Sequence, residues 1–246
     1  MPSDLERAIS GYSDAVDLTP DGHSDKPSYL NSLSNSFLAR FERLGVPSDL
    51  ERAISGYSDS VDLTPDGHPD SDKPSYLNNL GNSFFARFEH LGELSNLKQT
   101  ISRHGKAVEL MPDGHPDKPI PLNNLGNAFR VRLERLGELS DLEDAITRHR
   151  DAVDLTPAGH PNKPTRLNNL GGSFLARFER LGDLSDLEQA ILKSSDAAGP
   201  LSNLGNAFRV RFERLGVPSD LERAILTQTD VVDLTHQQLD MGLIRT

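Results

Sequence analysis

The sequence predicts an all-α fold, a superhelical solenoid of antiparallel helix pairs, and three observations carry that prediction. One string returns along the chain: "LNNLGNSFFARFEHLGELSNLKQTI" at 77–101, "LNNLGNAFRVRLERLGELSDLEDAI" at 122–146, "LNNLGGSFLARFERLGDLSDLEQAI" at 167–191 and "LSNLGNAFRVRFERLGVPSDLERAI" at 201–225. Within each copy the apolar residues recur three or four apart, and valine and isoleucine keep that spacing instead of the two-residue alternation of a strand. Glycine and proline fall at fixed places between the apolar segments. A repeat whose apolar face cannot be buried alone must lean on its neighbours, and leaning units build a quasi-one-dimensional array.

The elements follow in order. The leucines of the "SDLE" segments, Leu5, Leu50, Leu97, Leu142, Leu187 and Leu221, stand 45, 47, 45, 45 and 34 residues apart. The longer step holds an inserted "DS", and the short one follows from a lost loop between Ala197 and Leu201. Residues 2–23 and 47–68 differ only at Ala15 versus Ser60, the mark of a recent duplication. In the first helix of a unit, Leu122, Leu125, Phe129, Leu133 and Leu136 share one face; in the second, Leu142, Ala145, Ile146, His149, Ala152 and Val153 do the same. Eleven helices are expected, at 3–18, 27–44, 48–63, 74–91, 95–110, 119–136, 140–155, 164–181, 185–198, 200–215 and 219–235. They group as units at 3–44, 48–91, 95–136, 140–181 and 185–215 with a last helix at 219–235, one solenoid over 1–235 and a tail at 236–246. S-x-x-E capping boxes mark the second helices at Ser3/Glu6, Ser48/Glu51, Ser140/Glu143, Ser185/Glu188 and Ser219/Glu222, with Lys98 interrupting the series. Gly137 closes a first helix, Pro157 stops a second, and "DKP" or "NKP" opens the next.

Composition narrows the function. The chain has 246 residues, 37 acidic and 26 basic, for a net charge of −11. That balance argues against nucleic acid or an anionic membrane as partner and favours a neutral or basic protein or peptide. Without cysteine there is no disulfide, thiolate metal site or cysteine nucleophile. No apolar run nears the roughly 18 residues of a membrane span, and "MPSDLERAIS" lacks the apolar core of a signal peptide, so a cytoplasmic protein is expected. No Ser-His-Asp order or catalytic carboxylate pair rises above the repeated background, so no enzyme, cofactor or metal is expected.

The candidate binding residues lie on the first helices. On a wheel of about 100° per residue, Asn123, Asn127, Arg130 and Glu134 fall within about 60° of one another, away from the apolar stripe. The equivalent seams are Asn31, Asn35 and Leu38; Asn78, Asn82 and Phe85; Asn168, Gly172 and Leu175; and Ser202, Asn206 and Arg209. An amide both donates and accepts, so such a ladder can pair with the N–H and C=O of an extended peptide regardless of its side chains. The plainer alternative is a solvated seam, with Asn79, Asn124, Asn169 and Asn203, one position on, satisfying neighbouring backbone groups. Arginine recurs at Arg40, Arg87, Arg132, Arg177 and Arg211; its stem is expected to pack while the guanidinium meets an "ERLG" glutamate or a "SDLE" carboxylate. His23, His68, His115 and His160 sit in loops too far apart to share an ion, since packed helices lie about 10 Å apart. The glycine of "LGN" is read as a place where an adjacent helix approaches.

These residues resemble the tetratricopeptide repeat. Ala8, Tyr12, Ala15 and Pro20 match its small, aromatic, small and proline positions in the second helix. Leu80, Gly81 and Phe84, Leu125, Gly126 and Phe129, Leu170, Gly171 and Phe174, and Leu204, Gly205 and Phe208 match the leucine-glycine-aromatic triplet of the first. The likeness covers almost the whole chain and departs in length, because the family unit is about 34 residues. Long units with "LNNLG" are similar to kinesin light chain repeats, and more so to arrays of mushroom-forming fungi that precede a caspase-like CHAT domain. The resemblance implies a right-handed superhelix with the asparagine face lining a concave groove. It implies no grip on chaperone C-termini, because the lysines and arginines of that clamp are missing. A scaffold for an extended peptide or helical segment is therefore expected. The alternatives are an array that assembles with itself through its ends, or the repeat portion of a larger CHAT-type effector. The fourth junction, "ILKSSDAAGPLSNLGN", is expected to perturb packing, with Gly199 and Pro200 joining two helices almost without a loop.

Overall fold

The structure is a computed structural model that describes residues 4–65, 72–196 and 202–227. It is all-helical there, with no strand among the described residues. The helices are α1 (Asp4–Leu18), α2 (Lys26–Leu44), α3 (Pro47–Leu63), α4 (Lys73–Leu91), α5 (Leu94–Leu110), α6 (Pro119–Leu136), α7 (Leu139–Asp154), α8 (Lys163–Leu181), α9 (Leu184–Asp196) and α10 (Ser202–Leu215). An eleventh, α11, is helical over 218–227. Even-numbered helices are the first of each unit and odd-numbered ones the second. Where they are described, the bounds fall within two residues of those the sequence predicts. The predicted tail at 236–246 and the junction residues Gly199 and Pro200 lie outside the described residues.

The chain divides into two compact units, Met1–Ala128 and Phe129–Thr246. In the first, α2 packs on α1 and α3, and α4 on α3 and α5. Its core gathers Phe37, Leu50, Ala53, Tyr57, Leu77, Leu80 and Phe84. In the second, α8 packs on α7 and α9, and α10 packs on both α8 and α9. Ile146, Leu170, Phe174, Phe178 and Leu187 lie at its centre. The second-helix stripe from Leu142 to Val153 is buried as predicted, but Leu136 of the first-helix stripe is exposed at the turn that follows it.

Each first helix ends on a left-handed glycine. Gly45, Gly92, Gly137, Gly182 and Gly216 have φ between 65° and 76°. Their N–H groups donate to Phe41, Phe88, Leu133, Phe178 and Phe212 four residues back, which satisfies carbonyls a helix end otherwise leaves open. At the other end of the pair, Lys118 donates to Met111 O, and Lys163 to Val153 O and Thr156 O, so the lysine of "DKP" or "NKP" closes the preceding second helix.

The capping boxes are not formed. The residues preceding α3, α5 and α7 are Val46, Glu93 and Glu138, with no side-chain cap, and the "SDLE" serines Ser48, Ser140, Ser185 and Ser219 sit inside the first turn. Ser3 lies outside the described residues. The helices begin a residue or two early, so the "SDLE" serine is helical and its following aspartate or asparagine lies in the first turn, where it meets an arginine. Only α9 shows a side-chain cap of this kind among these starts: Asp183 accepts from the Ser185 N–H at 2.9 Å.

This arginine contact is the recurring joint of the fold. Arg40 forks onto Asp49 through Nε and Nη2, both at 2.7 Å, and reaches Glu6 at 3.0 Å, tying α2 to α3 and α1. Arg177 does the same with Asp186 and Glu143. Arg132 and Arg211 fork onto Asp141 and Asp220, while Arg87 meets Asn96 and Glu51. Each guanidinium also lies 5.1–5.6 Å from the centre of the phenylalanine ring three residues earlier. Apart from the Asn96 amide, the partners are the carboxylates of "SDLE"; the "ERLG" glutamates are not among them.

Candidate functional site

The seam residues divide between the two units. In the first, the structure brings amides of successive first helices into contact. Asn79 donates Nδ2 to Oδ1 of Asn31 at 3.0 Å. Asn124 donates to Oδ1 of Asn78 at 3.1 Å and to Oδ1 of Asn82 at 3.2 Å. The Tyr57 hydroxyl donates to Oδ1 of Asn35 at 2.6 Å. Asn35 and Asn82 are exposed, Asn31 half-buried and Asn78 buried; Asn123 and Asn127 are half-buried on α6.

In the second unit the rung differs. Asn203 donates to the backbone carbonyl of Asn168 at 2.9 Å, and Oδ1 of Asn168 is buried without a hydrogen-bond partner. The cause is Gly172, which stands where the other repeats carry an asparagine, exposed at Asn35, Asn82 and Asn206 and half-buried at Asn127. A Cβ at Gly172 would lie 2.8 Å from Nδ2 of Asn203, so the missing side chain lets the amide settle into its place. Asn206 and Arg209 are exposed on α10. Arg130 and Arg209 are already engaged, with Glu134 at 2.5 Å and Glu213 at 2.6 Å, one helical turn on.

Asn79, Asn124 and Asn203, each the second residue of an "NN" or "SN" pair, are thus inter-repeat clasps. The plainer alternative read from the sequence, that these residues satisfy neighbouring backbone groups, describes Asn203; Asn79 and Asn124 reach side-chain amides instead. The doubled asparagine was the available signal, since two adjacent amides on one helix point about 100° apart and the second can turn toward the preceding repeat.

Behind the seam the glycine of "LGN" admits a polar side chain from the partner helix. A Cβ at Gly81 would lie 2.7 Å from the His104 ring, and one at Gly171 would lie 2.3 Å from the Ser194 hydroxyl. Where α2 carries Ser34 instead, the glycine has moved to the facing helix, at Gly56. His104 is fully buried and its pKa is pushed down to about 4 by desolvation. The loop histidines are turn-formers: Nδ1 of His23, His115 and His160 accepts the N–H of Asp25, Asp117 and Asn162 at 3.1–3.2 Å. His68 lies outside the described residues. Among the described residues no three His, Asp or Glu side chains gather to hold a metal, and no helix is long and apolar enough to cross a membrane.

Helix pairs closed by a glycine turn and stacked first helix on first helix define a tetratricopeptide-like repeat array, and solved structures agree. The chain is similar to a putative kinesin light chain with nearly identical TPR-like repeats from Podosopora anserina, at TM-score 0.55 and 12% identity, over 78% of this chain and 88% of that one. It is also similar to BtubC (BKLC) from P. vanneervenii, at TM-score 0.61 and 16% identity, over 93% and 92% of the two chains. MamA matches at TM-score 0.51 and 16% identity, over 79% and 91%. At these identities the likeness establishes the fold. No protein-family model and no curated protein matches the sequence.

Proposed function

We propose that the chain is a non-catalytic protein-interaction scaffold whose first helices hold an extended peptide or a helical segment along an asparagine-lined, concave groove. One observation carries the reading: Asn35 and Asn82 present exposed amides from successive repeats, each held in place by an internal hydrogen bond from Tyr57 or Asn124. A fixed amide loses little freedom on binding, which favours its use as a recognition group. The net charge of −11 suits a neutral or basic protein partner over nucleic acid, and a cytoplasmic setting goes with this reading. Replacing Asn82 and Asn127 by alanine is expected to weaken peptide binding while circular dichroism and thermal unfolding stay near those of the parent chain. Undiminished binding by a folded double variant would refute the groove.

A second reading, assembly of copies through exposed ends, is favoured by α1. Its sequence nearly repeats that of α3, yet α3 buries Leu50, Ala53, Ile54, Tyr57 and Val61 whereas α1 buries no residue. Light scattering across a concentration series distinguishes the two: a constant monomer mass removes assembly. The further reading, that the chain is the repeat portion of a larger CHAT-type effector, rests on resemblance alone.

A further inference from the structure

Each amide oxygen of the seam on α2 and α4 of the first unit already accepts one hydrogen bond from within the chain, which engages one of its two lone pairs. Oδ1 of Asn31 accepts from Asn79, Oδ1 of Asn35 from the Tyr57 hydroxyl, and Oδ1 of both Asn78 and Asn82 from Asn124. Their Nδ2 groups donate to nothing among the described residues, and none of those nitrogens is an orphan sealed from solvent. The direction of the clasp has an independent anchor in the second unit. Asn203 stands at the repeat position of Asn79 and Asn124, and its acceptor is a backbone carbonyl, which cannot donate, so its Nδ2 must face the preceding repeat. Beside the free donors lie Leu38 and Phe85, half-buried, at the positions where α6 and α10 carry Arg130 and Arg209.

We propose that this part of the seam reads its ligand from one side: its unused N–H donors grip carbonyl oxygens, while its amide oxygens stay engaged with the chain and leave the ligand's own N–H groups to solvent. The inference rests on the peptide-groove reading and narrows its occupant to an extended, neutral segment whose carbonyls face Asn35 and Asn82 and whose apolar side chains reach Leu38 and Phe85. A polyproline II strand meets those demands, because it is extended without internal hydrogen bonds and a proline backbone keeps every carbonyl while lacking N–H. A strand recognised through a paired β-ladder would need both groups and would exclude proline.

Two measurements on the full ¹⁵N-labelled chain test this. The first needs no ligand. Side-chain amide exchange with solvent should be slow for Nδ2–H of Asn79 and Asn124 and fast for Asn35 and Asn82; the reverse order overturns the inference whatever the groove binds. The second titrates capped decaproline and, separately, a pool of capped proline-free decapeptides. Both should move the Asn35 and Asn82 side-chain resonances. Asn82→Asp, which keeps an oxygen facing Asn124 and removes the N–H donors, should weaken decaproline binding about tenfold. Shifts with the pool and none with decaproline would sink the one-sided reading and leave the peptide groove standing. Silence with both probes would sink the two together.

Discussion

Tyr12 and Tyr57 stand at the same place in two stretches, 2–23 and 47–68, that differ at one position, yet Tyr12 is 39% exposed and Tyr57 is wholly buried. The difference lies in the neighbours. α3 is packed between α2 and α4, whereas α1 packs on α2. The Tyr57 hydroxyl also finds Asn35 at 2.6 Å, and burial raises its pKa well above the usual tyrosine value. Tyr57→Ala is therefore expected to cost about 3–5 kcal/mol and Tyr12→Ala less than about 1 kcal/mol, read from urea unfolding midpoints. Equal losses would mean that α1 is covered in solution as α3 is, which would favour assembly of copies.

This pair shows what the sequence carries and what it does not. Helix positions were legible because the apolar period, the closing glycines and the prolines are local signals, settled within a few residues of where they act. The arginine at Arg40 or Arg177 was legible as an ion-pairing residue for the same reason: its forked aspartate lies nine residues on. Its second partner is 34 residues back, and the Asn79–Asn31 clasp spans 48, so those contacts depend on how units stack. The capping boxes failed for a related reason. A local motif offered Ser140 as the helix start, while the helix begins at Leu139 and holds Asp141 in its first turn, where Arg132 from the preceding helix forks onto it.

The Gly81–His104 contact predicts a specific epistasis. A methyl group at Gly81 would press on the imidazole at 2.7 Å, and both residues are buried, so neither can yield freely. Gly81→Ala should destabilise the chain by about 1–3 kcal/mol, as overpacking does, and the cost should shrink in a His104→Ser background, where the smaller side chain leaves room for the methyl. A double-mutant cycle on unfolding free energies measures the coupling; additive costs would show that the helices part to accommodate the methyl.

His104 also predicts an acid sensitivity. Its folded pKa, about 4, lies below the ordinary 6.5, because a buried imidazolium would lose its water. Between those values the unfolded chain binds the proton and the folded chain does not, so stability contributed by the neutral imidazole is full above about 6.5 and drains away as pH falls toward 4. Unfolding midpoints taken from pH 7 to pH 4.5 should fall in the parent chain, and His104→Ser should flatten that slope. An unchanged slope would assign the loss to other groups.

The departure of Asn96 from the arginine joint offers a stabilising substitution. Asp49, Asp141, Asp186 and Asp220 are buried carboxylates forked by arginines, whereas Arg87 meets the neutral Oδ1 of Asn96 at 2.8 Å. A carboxylate at this place would accept both Nε and Nη2 of Arg87, as Asp49 does from Arg40, and a charge-assisted pair is stronger than a neutral one. The substitution gives up the 3.3 Å hydrogen bond from Asn96 Nδ2 to Glu93, whose side chain is exposed and free to swing away; Glu138 and Asp141 already tolerate the same spacing in sequence. Asn96→Asp should raise stability by about 1 kcal/mol at neutral pH. The hydrogen bonds from Arg40 and Arg211 hold Asp49 and Asp220 below the usual carboxylate pKa, and the new aspartate should behave alike. Its gain would then be present above about pH 4, the unfolded carboxylate's value, and vanish as pH falls through the lower folded value. Thermal unfolding of the variant and parent at pH 7 and pH 3 checks both halves: a gain that survives at pH 3 would show that charge is not its source.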